Sequence, residues 1–196
     1  MFLAWERKQP FQSINNYNKR MTIASYITSL RILLIIPVIY FASLSQEYLA
    51  LFLFIIAGLT DYLDGFIARK TKTTTSLGAL LDLLADKLLV CLVLICCVFL
   101  SNSVLLIIPS LIIISRELII SSIRQFLVEK TGENPIKVTY VAKSKTTVQM
   151  IAISFLILSP EMDLWFYKIT IVLIWVAALI SIYTLYNYFD SYRDYF

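Results

Sequence analysis

Four aspartates lie close together in an otherwise apolar part of the sequence, in the stretch DYLDGFIARKTKTTTSLGALLDLLAD that runs from Asp61 to Asp86. On insertion scales, a single aspartate at the centre of a membrane-spanning helix costs about 2.5 to 3.5 kcal/mol. Four such residues near one another would be prohibitive unless positive charge offset them. A bound divalent cation is the simplest source of that charge.

The spacing of these residues places them on single helix faces. On the first predicted helix, an arc of about 100° contains Asp61, Asp64, Gly65 and Ala68. On the next, an arc of about 80° contains Gly78, Asp82 and Asp86. Two helices joined by a short polar turn can therefore present carboxylate pairs to each other. The chain contains no histidine, and oxygen ligands alone favour Mg²⁺, Mn²⁺ or Ca²⁺, which serve phosphoryl chemistry when carboxylates bridge two ions.

The fixed residues of this stretch resemble a known signature, that of the CDP-alcohol phosphotransferase family. The match holds at all eight fixed positions, which are Asp61, Asp64, Gly65, Ala68, Arg69, Gly78, Asp82 and Asp86. The resemblance implies an integral membrane enzyme. Such an enzyme moves a phosphatidyl or similar group from a CDP-linked donor to an alcohol and releases CMP.

The same resemblance implies roles for individual residues. It makes Asp61, Asp64 and Asp82 ligands of divalent metal, with two Mg²⁺ or Mn²⁺ ions in each site. It makes Asp86 the base that deprotonates the acceptor hydroxyl while also reaching a metal. The residues expected to bind the nucleotide are Gly65, Ala68, Arg69, Gly78 and, on the first helix, Thr28. The alternative, in which the aspartates only pair with nearby Arg and Lys, explains neither the two glycines nor the spacing.

Basic residues in two later segments predict a second anion site. The apolar segment SRELIISSIRQF contains Arg116, Glu117 and Arg124, and the segment KSKTTVQM contains Lys143 and Lys145. Charges within a membrane typically line a cavity or substrate path, and guanidinium and ammonium groups bind phosphate. We therefore predict that these four cations bind a phosphate on the acceptor. Glu117 is expected to orient one of the arginines rather than to react.

Within the family, these two segments most closely resemble the phosphatidylglycerophosphate synthases. That resemblance implies CDP-diacylglycerol as the donor and glycerol 3-phosphate as the acceptor. One alternative keeps the chemistry but changes the acceptor to inositol phosphate, serine or phosphatidylglycerol. Another is a small cation or proton transporter, because intramembrane acids commonly mark ion paths. A third alternative is a non-catalytic membrane scaffold.

The composition predicts an all-α, polytopic membrane protein, because 59% of the 196 residues are hydrophobic and only 15% are charged. Six runs are long enough to span a hydrocarbon core about 30 Å thick. They cover residues 26–45, 48–70, 76–100, 104–128, 139–158 and 164–188. The polar residues 1–20 form a predicted interfacial extension, which leaves 21–196 as the membrane domain.

The distribution of basic residues predicts the orientation. Segments 46–47, 101–103 and 159–163 contain no Lys or Arg, whereas the connections on the other side are basic. The positive-inside rule then places both termini and the aspartates at the cytoplasmic face. The family resemblance implies the bacterial inner membrane, contact with membrane lipids and a homodimer. Nucleic acid is not expected as a partner at a net charge of only +4.

Overall fold

The computed structural model describes residues 23–71, 76–131 and 140–191, with side chains at 28–60, 81, 83–127 and 145–191. The described residues form six α-helices and no strand. The helices are α1 (Ile23–Ser43), α2 (Glu47–Thr71), α3 (Ser76–Ser101), α4 (Val104–Thr131), α5 (Tyr140–Leu158) and α6 (Leu164–Ser191). The all-α prediction is confirmed for this part of the chain. The helix bounds agree with the predicted runs to within a few residues at each end.

Length and apolar composition identify the chain as a membrane protein. Three described helical segments are long and apolar enough to cross a bilayer, and these are Leu83–Ser101, Val104–Leu127 and Leu164–Ser191. The apolar parts of the other helices are shorter among the described residues, and these are Thr28–Ser43, Glu47–Thr60 and Lys145–Leu158. Large apolar side chains such as Phe99 and Trp165 are exposed on the outer surface, where lipid rather than water is the matching solvent.

The turn between α1 and α2 is short because the end of α1 forms a Schellman motif. The backbone N–H of Gln46 donates to the Phe41 carbonyl at 3.0 Å, and that of Ser45 donates to the Ala42 carbonyl at 3.4 Å. Ser45 has a φ of 55°, the left-handed conformation that this motif requires. Asn102 has a φ of 46° directly after α3. Asparagine tolerates that conformation better than most residues, so α3 and α4 also reverse within a few residues.

Two groups of helices meet in an apolar core. Helix α1 packs against α2 and α3, and α6 packs against α4 and α5, while α5 also contacts α2 and α3. Fully buried core side chains include Val38, Phe54, Leu94 and Ile174. Gly58 of α2 lies directly against the terminal methyl group of Met150 of α5, so an added Cβ would collide with it. This packing holds α3, α4, α5 and α6 close enough for their polar side chains to meet.

Candidate active site

The signature aspartates lie on α2 and α3, as their spacing predicts. The helical backbone runs without interruption through Asp61 and Asp64 in α2 and through Asp82 and Asp86 in α3. Each pair is therefore separated by about one helical turn. The Asp86 side chain is half-buried. For the other predicted residues of this stretch, the structure describes only the helical backbone. These residues are Asp61, Asp64, Gly65, Ala68, Arg69, Gly78 and Asp82.

A charged cluster lies beside Asp86. We call it the basic cluster, and it consists of Lys87 from α3, Arg116 and Arg124 from α4, and Lys145 from α5. The charges of both lysines interact with the Asp86 carboxylate. The cations are also close enough to repel one another, since Arg124 interacts with Lys87 and with Arg116. Two of the four cations, Lys87 and Lys145, thus interact directly with the charge of the predicted base.

Glu117 connects three members of the basic cluster. Its Oε1 atom accepts a contact from the Lys145 ammonium and lies 3.5 Å from the Arg116 Nη1 atom. Its backbone carbonyl accepts the Lys87 ammonium at 3.5 Å. The side chain of Lys145 is 2% exposed and that of Glu117 is 13% exposed, so little solvent screens this contact. The prediction that Glu117 orients an arginine agrees with the Arg116 contact, and the structure adds Lys145 as a second partner.

Helix α6 holds the other side of the Arg116 guanidinium. The Nη2 atom of Arg116 donates to the Thr184 hydroxyl at 3.1 Å, and that hydroxyl in turn donates to the Ser181 carbonyl at 2.9 Å. One turn along α5 from Lys145, the Gln149 amide donates to the Ser181 hydroxyl at 3.2 Å. These bonds join α4, α5 and α6 around a buried polar centre.

Two donors of the basic cluster are buried without a hydrogen-bond partner among the described residues. They are the Nε atoms of Arg116 and Arg124. Arg116 is only 9% exposed. A buried polar donor without a partner costs about 1 to 3 kcal/mol, and a charged one costs more. Two such guanidinium donors on one helix point to an anion as the missing acceptor.

The structure brings together three of the four residues predicted to bind the acceptor, namely Arg116, Arg124 and Lys145. Lys143 lies two positions before Lys145 in α5, but its side chain lies outside the described residues. Thr28, predicted to contact the nucleotide, is buried in α1 with 2% exposure. The contacts of these residues with substrates stay predictions.

Two residues of this site were not predicted as part of it. They are Lys87, which directly follows Asp86, and Thr184, which lies in α6. A signal for the second residue exists in the sequence, because the buried face of α6 repeats small or hydroxyl residues at helical spacing: Thr170, Ala177, Ala178, Ser181 and Thr184. Such residues let helices approach closely and bond across the interface.

The donor set of the signature fits hard divalent cations. Among the described side chains, no group of three His, Cys, Asp or Glu residues lies together, and three of the four predicted ligands lie outside that part. The signature residues of α2 and α3 offer only carboxylate oxygens as strong ligands. Oxygen donors of this kind match Mg²⁺ or Mn²⁺ rather than Zn²⁺ or Cu²⁺.

Comparison with known proteins agrees with the resemblance of the signature. The sequence model for CDP-alcohol phosphatidyltransferases matches residues 21–183.

Three curated relatives share the name CDP-diacylglycerol–glycerol-3-phosphate 3-phosphatidyltransferase. The protein of Haemophilus influenzae is 36% identical over 177 residues, which cover 86% of this chain and 92% of the relative. The protein of Rickettsia bellii is 39% identical over 180 residues, covering 89% and 97%. The protein of Shigella flexneri serotype 5b is 31% identical over 177 residues, covering 89% and 96%.

The matched region includes both the signature aspartates and the basic cluster. The relatives align over nearly their whole lengths, so the similarity is not confined to one motif. The predicted family resemblance is confirmed, and this protein is a membrane enzyme that belongs to the CDP-alcohol phosphatidyltransferase family.

Proposed function

We propose that this enzyme transfers the phosphatidyl group of CDP-diacylglycerol to glycerol 3-phosphate, giving phosphatidylglycerophosphate and CMP. The names of the relatives support this choice of donor and acceptor. The structural observation that carries the proposal is the pair of buried, unpartnered guanidinium donors in the basic cluster beside Asp86. An acceptor that itself carries a phosphate would supply the oxygens that these donors lack.

The acceptor phosphate is proposed to bind to Arg116 and Arg124. Guanidinium groups form strong, directional bonds with phosphate oxygens, and the Nε atoms of both arginines are buried. Lys143 and Lys145 are the other predicted contributors. Serine as acceptor would place no phosphate here, and two buried donors would stay unsatisfied, which favours glycerol 3-phosphate over serine.

The half-buried carboxylate of Asp86 is proposed to act as the base. The acceptor hydroxyl gives its proton to Asp86, and its oxygen forms a bond to the lipid-side phosphorus of the donor. The bond between that phosphorus and the oxygen of CMP breaks, so CMP leaves with the electron pair. The ammonium groups of Lys87 and Lys145 lie near enough to interact with the Asp86 charge.

Divalent cations and the nucleotide are proposed to bind along the signature. Two ions, Mg²⁺ or Mn²⁺, would be held by Asp61, Asp64, Asp82 and Asp86, and would neutralise the donor diphosphate when bound. The small residues Gly65, Ala68 and Gly78 leave room for the flat cytosine ring. Arg69 would assist the diphosphate, and Thr28 of α1 is the remaining predicted contact. A homodimer is expected from the family resemblance.

We further infer six membrane spans with both termini and the active site at the cytoplasmic face of a bacterial inner membrane. The described turns at 44–46, 102–103 and 159–163 contain no basic residue, which matches the outer side under the positive-inside rule. At 1.5 Å per residue, Arg116 lies about 18 Å along α4 from Val104. That depth is in the cytoplasmic half of a core about 30 Å thick, where a soluble acceptor can reach it.

Cysteine labelling tests this orientation. In a variant without its three native cysteines, Ser103→Cys should react in intact cells with a membrane-impermeant maleimide. Glu133→Cys should react only after the cells are opened, because residue 133 follows the other end of α4 in the sequence. The reverse labelling pattern would overturn the proposed orientation.

An acceptor screen tests the function. Purified protein in detergent, supplied with CDP-diacylglycerol and a divalent cation, should release CMP with glycerol 3-phosphate and not with serine, inositol phosphate or phosphatidylglycerol. The substitution Arg116→Gln should raise the KM for glycerol 3-phosphate by about 10- to 100-fold, since a hydrogen bond to a charged group contributes about 1.5 to 3 kcal/mol.

The matched control is Lys168→Gln. Lys168 is exposed, and its ammonium lies 5.3 Å from the centre of the Trp165 ring near the start of α6, so the KM should stay unchanged. CMP release with serine but not with glycerol 3-phosphate would contradict the proposed acceptor. Ion flux through liposomes without any CMP release would favour the transporter alternative.

A further inference from the structure

We propose that Glu117 and Lys145 act as one positioning pair that fixes the Arg116 guanidinium for the acceptor phosphate. In this view neither residue contributes its own charge to acceptor binding. The inference rests on the proposed function, which places that phosphate on Arg116. It assigns Lys145 a different role from the direct phosphate contact that its position in the sequence predicts.

The contacts of Glu117 carry this inference. A single carboxylate oxygen, Oε1, contacts both the Lys145 ammonium and the Arg116 Nη1 atom. Lys145 is almost completely buried, and its ammonium is already engaged by that oxygen. The ammonium is therefore less available to a new anion than the unpartnered Nε atoms of the two arginines.

Arg116 is held on two sides by these contacts. Glu117 lies at one terminal nitrogen, and the Thr184 hydroxyl lies at the other at 3.1 Å. With both terminal nitrogens engaged, the orientation of the guanidinium plane is fixed, and the Nε–H, which has no partner among the described residues, is available to a ligand. A preoriented donor loses less conformational entropy when the phosphate binds.

Charge repulsion explains why both members of the pair are needed. Lys145 interacts repulsively with Arg116 and with Lys87, and Glu117 is the carboxylate that lies between them. Without Glu117, the buried ammonium loses the carboxylate that it contacts and keeps only the charge of Asp86, so it should move away from Arg116. Without Lys145, the Glu117 carboxylate is free to turn toward another cation. Either change releases Arg116 from its position.

Two interpretations of the pair predict different results for Glu117→Gln and for the double variant. If charge alone mattered, Glu117→Gln would remove one negative charge from the cluster and lower the KM for the acceptor. Lys145→Met would remove one positive charge and raise this KM. The double variant would then return to the KM of the wild type. If the pair positions Arg116, both single variants raise this KM, and the double variant resembles either single variant because the same unit has been lost.

The experiment is a double-mutant cycle on steady-state CMP release, with glycerol 3-phosphate varied at saturating CDP-diacylglycerol. We expect Glu117→Gln, Lys145→Met and the double variant each to raise the acceptor KM by about tenfold. The value of kcat and the KM for CDP-diacylglycerol should stay within about threefold of wild type. The controls are Glu161→Gln and Lys168→Met, which remove one exposed charge each, in the turn after α5 and near the start of α6.

A second series keeps the inference testable if a variant of the pair does not fold. Thr184→Val removes the other bond to Arg116 without changing any charge, and should also raise the acceptor KM. Thr184→Ser retains the hydroxyl and should restore it. Unchanged KM in Thr184→Val, opposite signs for the two single variants, or additive effects in the double variant would each overturn the inference. Failure of the proposed function is distinguished by the wild-type protein, which would then release no CMP with glycerol 3-phosphate.

Discussion

The substitution Asp86→Asn is expected to lower kcat for CMP release by about 100- to 10,000-fold, the range typical for loss of a general base. Asparagine has nearly the same size as aspartate but cannot accept the proton of the acceptor hydroxyl. Substrate binding should be less affected, because Arg116 and Arg124 are unchanged. The measurement is steady-state release of CMP from purified protein at saturating concentrations of both substrates.

Folding and local charge need separate controls in this experiment. Asp86 interacts with Lys87 and Lys145, so its loss also changes the balance of the basic cluster. A KM for glycerol 3-phosphate close to that of wild type would show that the cluster is intact. Glu161→Gln, an exposed change in the turn after α5, should leave kcat unaltered. A kcat for Asp86→Asn within tenfold of wild type would remove Asp86 from the role of base.

Removal of divalent cations is expected to abolish CMP release, and addition of Mg²⁺ or Mn²⁺ should restore it. The signature brings four carboxylates to one pair of helices, and the donor adds a negatively charged diphosphate. Without cations, these charges repel one another in a region of low dielectric constant. The measurement is activity after treatment with EDTA, followed by titration of each metal.

A ligand variant separates metal binding from general inhibition by the chelator. Asp64→Asn should raise the metal concentration that gives half-maximal activity by about tenfold or more. Loss of a residue that only hydrogen-bonds to a metal ligand already lowers metal affinity by about 10- to 100-fold. Glu161→Gln should respond to the metals as wild type does. Full activity in protein that retains no metal by elemental analysis would contradict the proposed role of the signature aspartates.

The helices and the aspartate signature could be read from the sequence because both are local patterns. Long apolar runs predict membrane helices, and turns such as the one at Ser45 separate them cleanly. The spacing of Asp82 and Asp86 becomes a geometric statement as soon as α3 is known to be helical. The family resemblance also depends on residues that lie close together along the chain, which is why it could be stated before any coordinates.

The detailed contacts of the basic cluster could not be predicted in the same way. The bond between Arg116 and Thr184 joins residues 68 positions apart, and the contact between Glu117 and Lys145 spans 28 positions. Such pairs depend on how α4, α5 and α6 rotate and slide against one another, and no local spacing encodes that. The sequence therefore predicted that Glu117 would orient an arginine but did not indicate its contact with Lys145.

The position of Thr184 has a consequence for biosynthesis of the enzyme. Arg116 is synthesised before α6, the last of the described helices. Until α6 docks through its face of small and hydroxyl residues, the Arg116 guanidinium lacks one of the two groups that hold it. The proposed acceptor site is thus complete only once α6 has packed against α4 and α5.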